Sequence, residues 1–164
     1  PIKWVGLQNY ARLFTDTIFQ RGVLNVLYYA LMFIPSMIIL SILLALALNR
    51  KIPGMRFFRT LYYLPAVTSS IAASVVWTWM LQKDYGVINQ FLALFGIVGP
   101  AWLADSDTAM FAIVIVTLWQ GLGGNIIIFL AGLQGIPPAL YEAARLDGAN
   151  PWQLFQYITL PLLR

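Results

Sequence analysis

The sequence predicts an all-α integral membrane protein, and three observations carry that prediction. Of its 164 residues, 60% are hydrophobic and only 10% are charged, against roughly 25% charged in an ordinary soluble domain. The mean hydropathy is +0.77. The charges are also segregated, with long charge-free runs separated by short links that hold them. Sixteen charges cannot clothe a soluble domain of this size. This argues against a free cytosolic enzyme, a disordered regulator or a nucleic-acid reader. A net charge of +4 would fit nucleic acid in a polar chain, but here the positive charge clusters in one link. The predicted surroundings are therefore a lipid bilayer, with no nucleic-acid partner. Cysteine and histidine are both absent, which removes disulfides, thiolate chemistry and His-containing metal sites. No metal or cofactor is expected.

The elements follow in chain order. Leu7, Tyr10, Leu13 and Phe14 recur at helical spacing, which predicts a short amphipathic helix over Gly6–Phe14, with Trp4 and Tyr10 suited to the headgroup belt. The charge-free run 22–49, rich in Leu, Ile and Ala, is long enough for a first span. The run 60–82 is the second. Pro35 within the first and Pro65 near the start of the second each predict a kink or an end. The run 86–97 holds Val87, Ile88, Phe91, Leu92 and Phe95 on one stripe, with Asn89, Ala93 and Gly96 opposite. That pattern predicts a short helix lying in the interface. The run 108–132 is the third span, ended by Pro137-Pro138.

Orientation comes from Lys and Arg. Arg50, Lys51, Arg56 and Arg59 fill the link between the first two spans and place it in the cytoplasm. The link with Lys83, Asp84, Asp105 and Asp107 then lies outside, and Arg145 and Arg164 inside. Lys3, Arg12 and Arg21 fall outside, against the usual bias. Pro1 in place of a methionine, and Arg164 directly after an apolar run, are expected of a fragment cut at both ends.

The spans hold no Asp, Glu, Lys or Arg, which argues against an ion-driven carrier. Ala66, Ser70 and Ser74 repeat every four residues and make a small face for helix packing. Thr117, Gln120, Gly121 and Gly124 share one face of the third span, with Trp119 and Asn125 beside it. They suit either helix packing or the lining of a path for a neutral polyhydroxylated ligand.

The segment 138–161 reads as a helix, a turn and a second helix. Pro138 suits the first helical turn, Gly148 a left-handed stop, and Asn150, Pro151 and Gln153 a capping-box start. Glu142, Ala143, Ala144 and Arg145 make a short helix with small residues flanked by opposite charges. Such a helix can lie close against a partner, or can simply connect two spans.

Glu142-Ala143-Ala144, then Gly148, then Ile158-x-Leu160-Pro161, resembles the EAA signature of membrane subunits of binding-protein-dependent ABC importers. Asp147-Gly148-Ala149 fits the same pattern. Val5-Gly6-Leu7-Gln8-Asn9-Tyr10, Leu64-Pro65, Trp119-Gln120-Gly121 and Leu133-Gln134-Gly135-Ile136-Pro137 look like the sugar-importer branch, and within it the first permease of maltose-type and glycerol-phosphate-type systems. The resemblance implies a partial type I permease bundle, with three transmembrane helices, an interfacial helix and a cytoplasmic coupling helix, and with the first and last two family spans missing. It implies that Glu142, Ala143, Ala144, Asp147, Gly148, Ile158, Leu160 and Pro161 serve coupling to a separate cytoplasmic ATP-binding subunit dimer. It further implies a second homologous permease subunit, an extracytoplasmic solute-binding protein and a carbohydrate substrate, in a bacterial or archaeal inner membrane crossed several times. It also favours Thr117, Gln120, Gly121 and Gly124 as substrate path. No GxxxxGK[ST] loop is present, so ATP hydrolysis is expected in the partner and not in this chain. The competing readings are a secondary transporter or channel subunit, which leaves the signature unexplained, and a membrane enzyme, which lacks a reactive constellation.

Overall fold

A computed structural model describes Trp4, residues 6–49 and residues 53–163, without the side chain of Arg56. The topology markers Lys3, Arg50, Lys51 and Arg164, the side chain of Arg56, and Val5 of the sugar-importer motif lie outside the described residues. The described residues are helical with no strand.

Helix α1, Gln8–Thr15, meets α2, Thr17–Leu48, at a tight elbow. Asp16 makes the corner: its carboxylate accepts from the backbone N–H of Ile18 at 2.8 Å and of Phe19 at 3.3 Å, which satisfies two donors that open a helix. Gln20 Nε2 donates back to the Phe14 carbonyl at 2.8 Å. The helix thus begins five residues before the charge-free run. It also passes through Pro35 without ending, contrary to one of the outcomes expected of that proline. Its 32 residues rise about 48 Å at ~1.5 Å each, against roughly 30 Å of hydrocarbon.

The second apolar run, read as one span over 60–82, is divided. Helix α3 covers Met55–Val67 and α4 covers Ser70–Met80. Thr68 between them is extended, and its N–H and hydroxyl both turn back to the Pro65 carbonyl, at 3.3 and 2.7 Å. Pro65 removes one ladder donor, and the run Thr68-Ser69-Ser70 offers hydroxyls that compete with the helix ladder. Periodicity reports apolar character and is blind to such a break.

Helix α5, Val87–Ala93, is followed by a turn in which Ile97 N–H reaches the Leu92 carbonyl and Gly96 N–H the Ala93 carbonyl, with Gly96 at φ 72°. This is a Schellman stop. Helix α6, Ser106–Gly135, starts on Asp105, whose carboxylate accepts from Asp107 N–H. It ends at Ile136, extended ahead of Pro137. Helix α7 is Pro138–Leu146 and α8 is Pro151–Leu154. A π-helical turn, Phe155–Thr159, leads into α9, Leu160–Leu162.

Helices α2 and α6 pack most extensively, followed by α3 and α6. The α2–α6 contact is parallel. A Cβ on Gly121 would meet Met37 Cε at 2.7 Å, and further along both helices Ala45 and Leu48 join Ile126, Leu130 and Leu133 in the core. Ala45 and, one turn before it, Ser41 are fully buried. These small residues let α6 approach closely. Helices α3 and α4 run back along α6: a Cβ on Gly123 would strike the Tyr62 carbonyl at 2.6 Å, and Trp77 meets Trp119 edge to face at 5.5 Å.

Among the described residues, α2 and α6 alone are long and apolar enough to cross a membrane by length and composition, and 28% and 22% of their most apolar windows are buried. Core helices of a soluble protein would be mostly covered. Here most of the apolar surface is left for lipid or for other helices.

Candidate coupling segment and Asn89 knot

The best-defined local architecture surrounds the signature residues. Helix α7 ends in a second Schellman stop, with Ala149 N–H donating to the Ala144 carbonyl at 2.9 Å and Gly148 N–H to the Arg145 carbonyl at 3.1 Å. Gly148 stands at φ 84°, and nothing lies within 4 Å of a Cβ placed on it. Its constraint is therefore backbone conformation and not space. Asn150 then opens α8 with a complete capping box: Gln153 N–H donates to Asn150 Oδ1, and Asn150 N–H to Gln153 Oε1. The helix–turn–helix read from the sequence is present, with its second helix interrupted by the π turn. A proline ring clashes with the carbonyl four residues back, so the wider turn before Pro161 relieves the Tyr157 carbonyl.

The signature residues divide by role. Glu142, Ala143, Arg145 and Asp147 are exposed on α7 and its cap. Leu146 beside them is 90% exposed. Ala144 and Gly148 line a cleft of about 260 Å³ with Asp147, Gln153, Leu154 and Tyr157. Ile158 turns inward and packs on the α2–α6 core with Tyr141 and Leu163. Leu160 and Pro161 are exposed.

Sequence reasoning missed the latch between these pieces. Buried Thr159 donates its hydroxyl to the Leu154 carbonyl at 3.3 Å, so the 3.0 Å contact with Tyr141 must be donated by the tyrosine. It fixes α7 to the π turn. Arg59, read only as a topology marker, also has a second role. Its Nη2 donates to the carbonyl of Leu48, the last residue of α2, at 2.7 Å, where a cation also favours the helix dipole. No signal in the sequence links residues so far apart.

The face chosen as substrate path splits. Thr117 and Gln120 line a cleft of about 280 Å³ between α4 and α6, with Ser74, Trp77 and Thr78. Thr117 donates to the Ile113 carbonyl at 2.5 Å. Gly124 faces open space, whereas Gly121 sits against Met37. Asn125 Nδ2 donates to the Gly121 carbonyl of its own helix at 3.0 Å.

At the other end of α6, Asn89, which the sequence places opposite the apolar stripe of α5, ties a knot. It is buried. Its amide donates to the Lys83 and Pro100 carbonyls, both at 3.0 Å, and its Oδ1 accepts from Trp102 Nε1 at 2.6 Å. Of the stripe opposite it, Val87, Phe91 and Phe95 are exposed, and Ile88 and Leu92 are half-buried.

The chain belongs to the family of binding-protein-dependent transport system inner membrane components, whose model matches residues 18–164. The resemblance carried by the signature is therefore confirmed at the level of the family. The arabinooligosaccharides transport system permease protein AraP of Halalkalibacterium halodurans is 39% identical over 99% of this chain and 52% of its own length. The lactose transport system permease protein LacF of Rhizobium radiobacter is 36% identical over 99% of this chain and 55% of its own. The chain spans about half the length of the curated relatives it matches. A solved bacterial ABC transporter involved in the import of the acidic polysaccharide alginate matches with a TM-score of 0.84 and 30% identity, over 98% of this chain and 57% of that one. The same kind of transporter, in complex with an alginate pentasaccharide-bound periplasmic protein, matches at 0.85.

Proposed function

We propose that this chain is part of a permease subunit of an ATP-driven carbohydrate importer in a bacterial or archaeal inner membrane. Its helices help form the translocation path, and its α7 segment couples that path to a separate ATPase dimer. The observation that carries this reading is the α7 elbow. A short helix exposing Glu142, Ala143, Arg145 and Leu146 is clamped at Gly148 and tied through Tyr141, Thr159 and Ile158 to the core where α2 meets α6. A push on α7 is thus transmitted to the long helices and not absorbed in a loop. Small Ala143 and Ala144 permit close docking, and Glu142 and Arg145 supply directional polar contacts.

The apolar runs 22–49, 60–82 and 108–132 are the spans in this reading, with α5 in the outer interface. In the second, the break at Thr68–Ser69 demands protein or water around it, because lipid cannot satisfy unpaired backbone groups. The path includes Thr117, Gln120 and Gly124, and Gly121 serves packing. Support for a sugar or oligosaccharide as cargo comes from the names of the relatives and from the cleft of hydroxyls, an amide and Trp77. A second permease subunit and an extracytoplasmic solute-binding protein complete the assembly. ATP chemistry belongs to the partner.

The test is Gly148→Asp in the full-length protein with its partner subunits. Uptake is expected to fall while ATP hydrolysis becomes independent of transport, or while the ATPase fails to assemble. Uptake at the normal rate would defeat the coupling role.

A further inference from the structure

The proposed function leaves the N-terminal elbow unexplained. Arg12 and Arg21 fall on the outer side in the proposed topology, against the usual charge bias. Asp16, the one acidic residue between them, is occupied in capping α2. Both arginines are exposed. On α1, Leu7, Tyr10, Ala11 and Phe14 fall at i, i+3, i+4 and i+7, while Gln8, Asn9 and Arg12 lie on the far side. No residue of α1 is buried. An eight-residue helix with an uncovered apolar face would gain little from leaving water unless held at a set angle. The elbow supplies that restraint through the Asp16 cap, the bond from Gln20 to the Phe14 carbonyl and the bond from Thr15 Oγ1 to the Arg12 carbonyl. Arg21 stands immediately before the charge-free run 22–49, which in the proposed span puts it beside the headgroups.

We infer that α1 and the first turns of α2 form a binding site for anionic phospholipid, with the Leu7, Tyr10 and Phe14 face in the acyl boundary and Arg12 and Arg21 on headgroup phosphates. Basic amphipathic helices bind interfaces through both buried apolar area and attraction to anionic lipid, and each surface cation strengthens that attraction about fivefold. The misplaced charges then have a reason, since they hold the outer end of α2 at a fixed depth.

The inference rests on the membrane placement proposed above, and the test separates the two. The full-length protein, freed of any other cysteine, carries one nitroxide-labelled cysteine at Phe14 or at Asn9 and is reconstituted with its partner subunits. Vesicles are phosphatidylcholine with or without phosphatidylglycerol. With phosphatidylglycerol, the label at 14 is expected to collide with oxygen and be shielded from a water-soluble nickel complex, and the label at 9 to behave in the opposite way. Arg12→Gln and Arg21→Gln should each raise the phosphatidylglycerol needed about fivefold. Burial of the label at 14 that is equal in both lipids would overturn the anionic site. Shielding from both reagents would show the face covered by protein, whether another segment or a second copy, and would also overturn it. Free access of nickel at both positions would place α1 in water and overturn the inference, while leaving the proposed spans untouched.

Discussion

Asn89 and Gly148 show what single residues reveal in a sequence and what they conceal. Gly148 was legible because a left-handed stop followed by an N-cap is local chemistry, written in the six consecutive residues 148–153. Asn89 was not. It lies on the polar side of an amphipathic stripe, and the usual inference sends that side to water. Here the two carbonyls that it reaches and the indole that reaches it come from six to thirteen residues away, and Gly99 provides the space. A Cβ on Gly99 would lie 2.0 Å from Asn89 Oδ1. Asn89→Leu should therefore cost about 2–4 kcal/mol through lost hydrogen bonds and stranded buried groups, read as faster amide exchange across residues 83–102. Gly99→Ala should reproduce that loosening. Exchange at the wild-type rate in both would mean that the knot does not hold the loop. At Gly148 the side chain has room but the backbone is strained for any L-residue, by about 1–2 kcal/mol. Asparagine tolerates this conformation best and a β-branched residue worst. Gly148→Asn should keep most uptake and Gly148→Val little. Gly148→Asp, shaped like asparagine, then isolates the effect of added charge beside Asp147. Equal uptake by all three would remove backbone conformation from the account.

At the scale of the element, lengths and ends were largely readable, because charges, prolines and caps mark them. The long helix α2 covers its charge-free run up to the last residue and α6 encloses its own; at their starts both begin early, on the turns that a capping aspartate adds. The second run failed as one helix because its break rests on a competition between backbone and hydroxyls, which apolar spacing does not register. If Pro65 and the hydroxyls cause the break, replacing Thr68, Ser69 and Ser70 together with alanine should extend α3 toward α4. Carbonyl and Cα chemical shifts at 67–70 should then move to helical values. Transport should fall without loss of assembly, since a continuous helix removes the irregular backbone that the proposed path places against water or protein. Unchanged shifts would locate the cause in packing against α6 instead. The latch between α7 and the π turn belongs to the same scale. Tyr141→Phe should cost about 1 kcal/mol and weaken coupling of hydrolysis to uptake more than it weakens ATPase binding, because the docking face itself is untouched.

At the scale of the molecule, the helix order and the packing fix which segments share an end. Helices α2 and α6 run parallel, and α3 with α4 returns along α6. The elbow at Asp16, the loop with Lys83 and Asp84 and the start of α6 therefore gather at one end, and the start of α3 and the α7 segment at the other. Sequence reasoning reached the same division from a different source, the clustering of Lys and Arg, although residues on the outer side opposed the rule. The two arguments are independent, since one uses contacts and the other uses charge. Together they predict sidedness that can be measured, because the chain has no cysteine of its own. Single cysteines at Asp16, Asp84 and Asp147, in full-length protein freed of other cysteines, would be treated in intact cells with a membrane-impermeant maleimide. Positions 16 and 84 should label from outside, and 147 only after the membrane is opened. Labelling of 147 from outside would place the α7 segment away from any cytoplasmic ATPase and would remove the coupling reading along with the orientation. Labelling of 16 and 84 from opposite sides would break the pairing of the outer segments, and with it the parallel arrangement of α2 and α6 that underlies the path. The agreement of packing and charge makes either result unexpected, and each would identify which of the two arguments had failed.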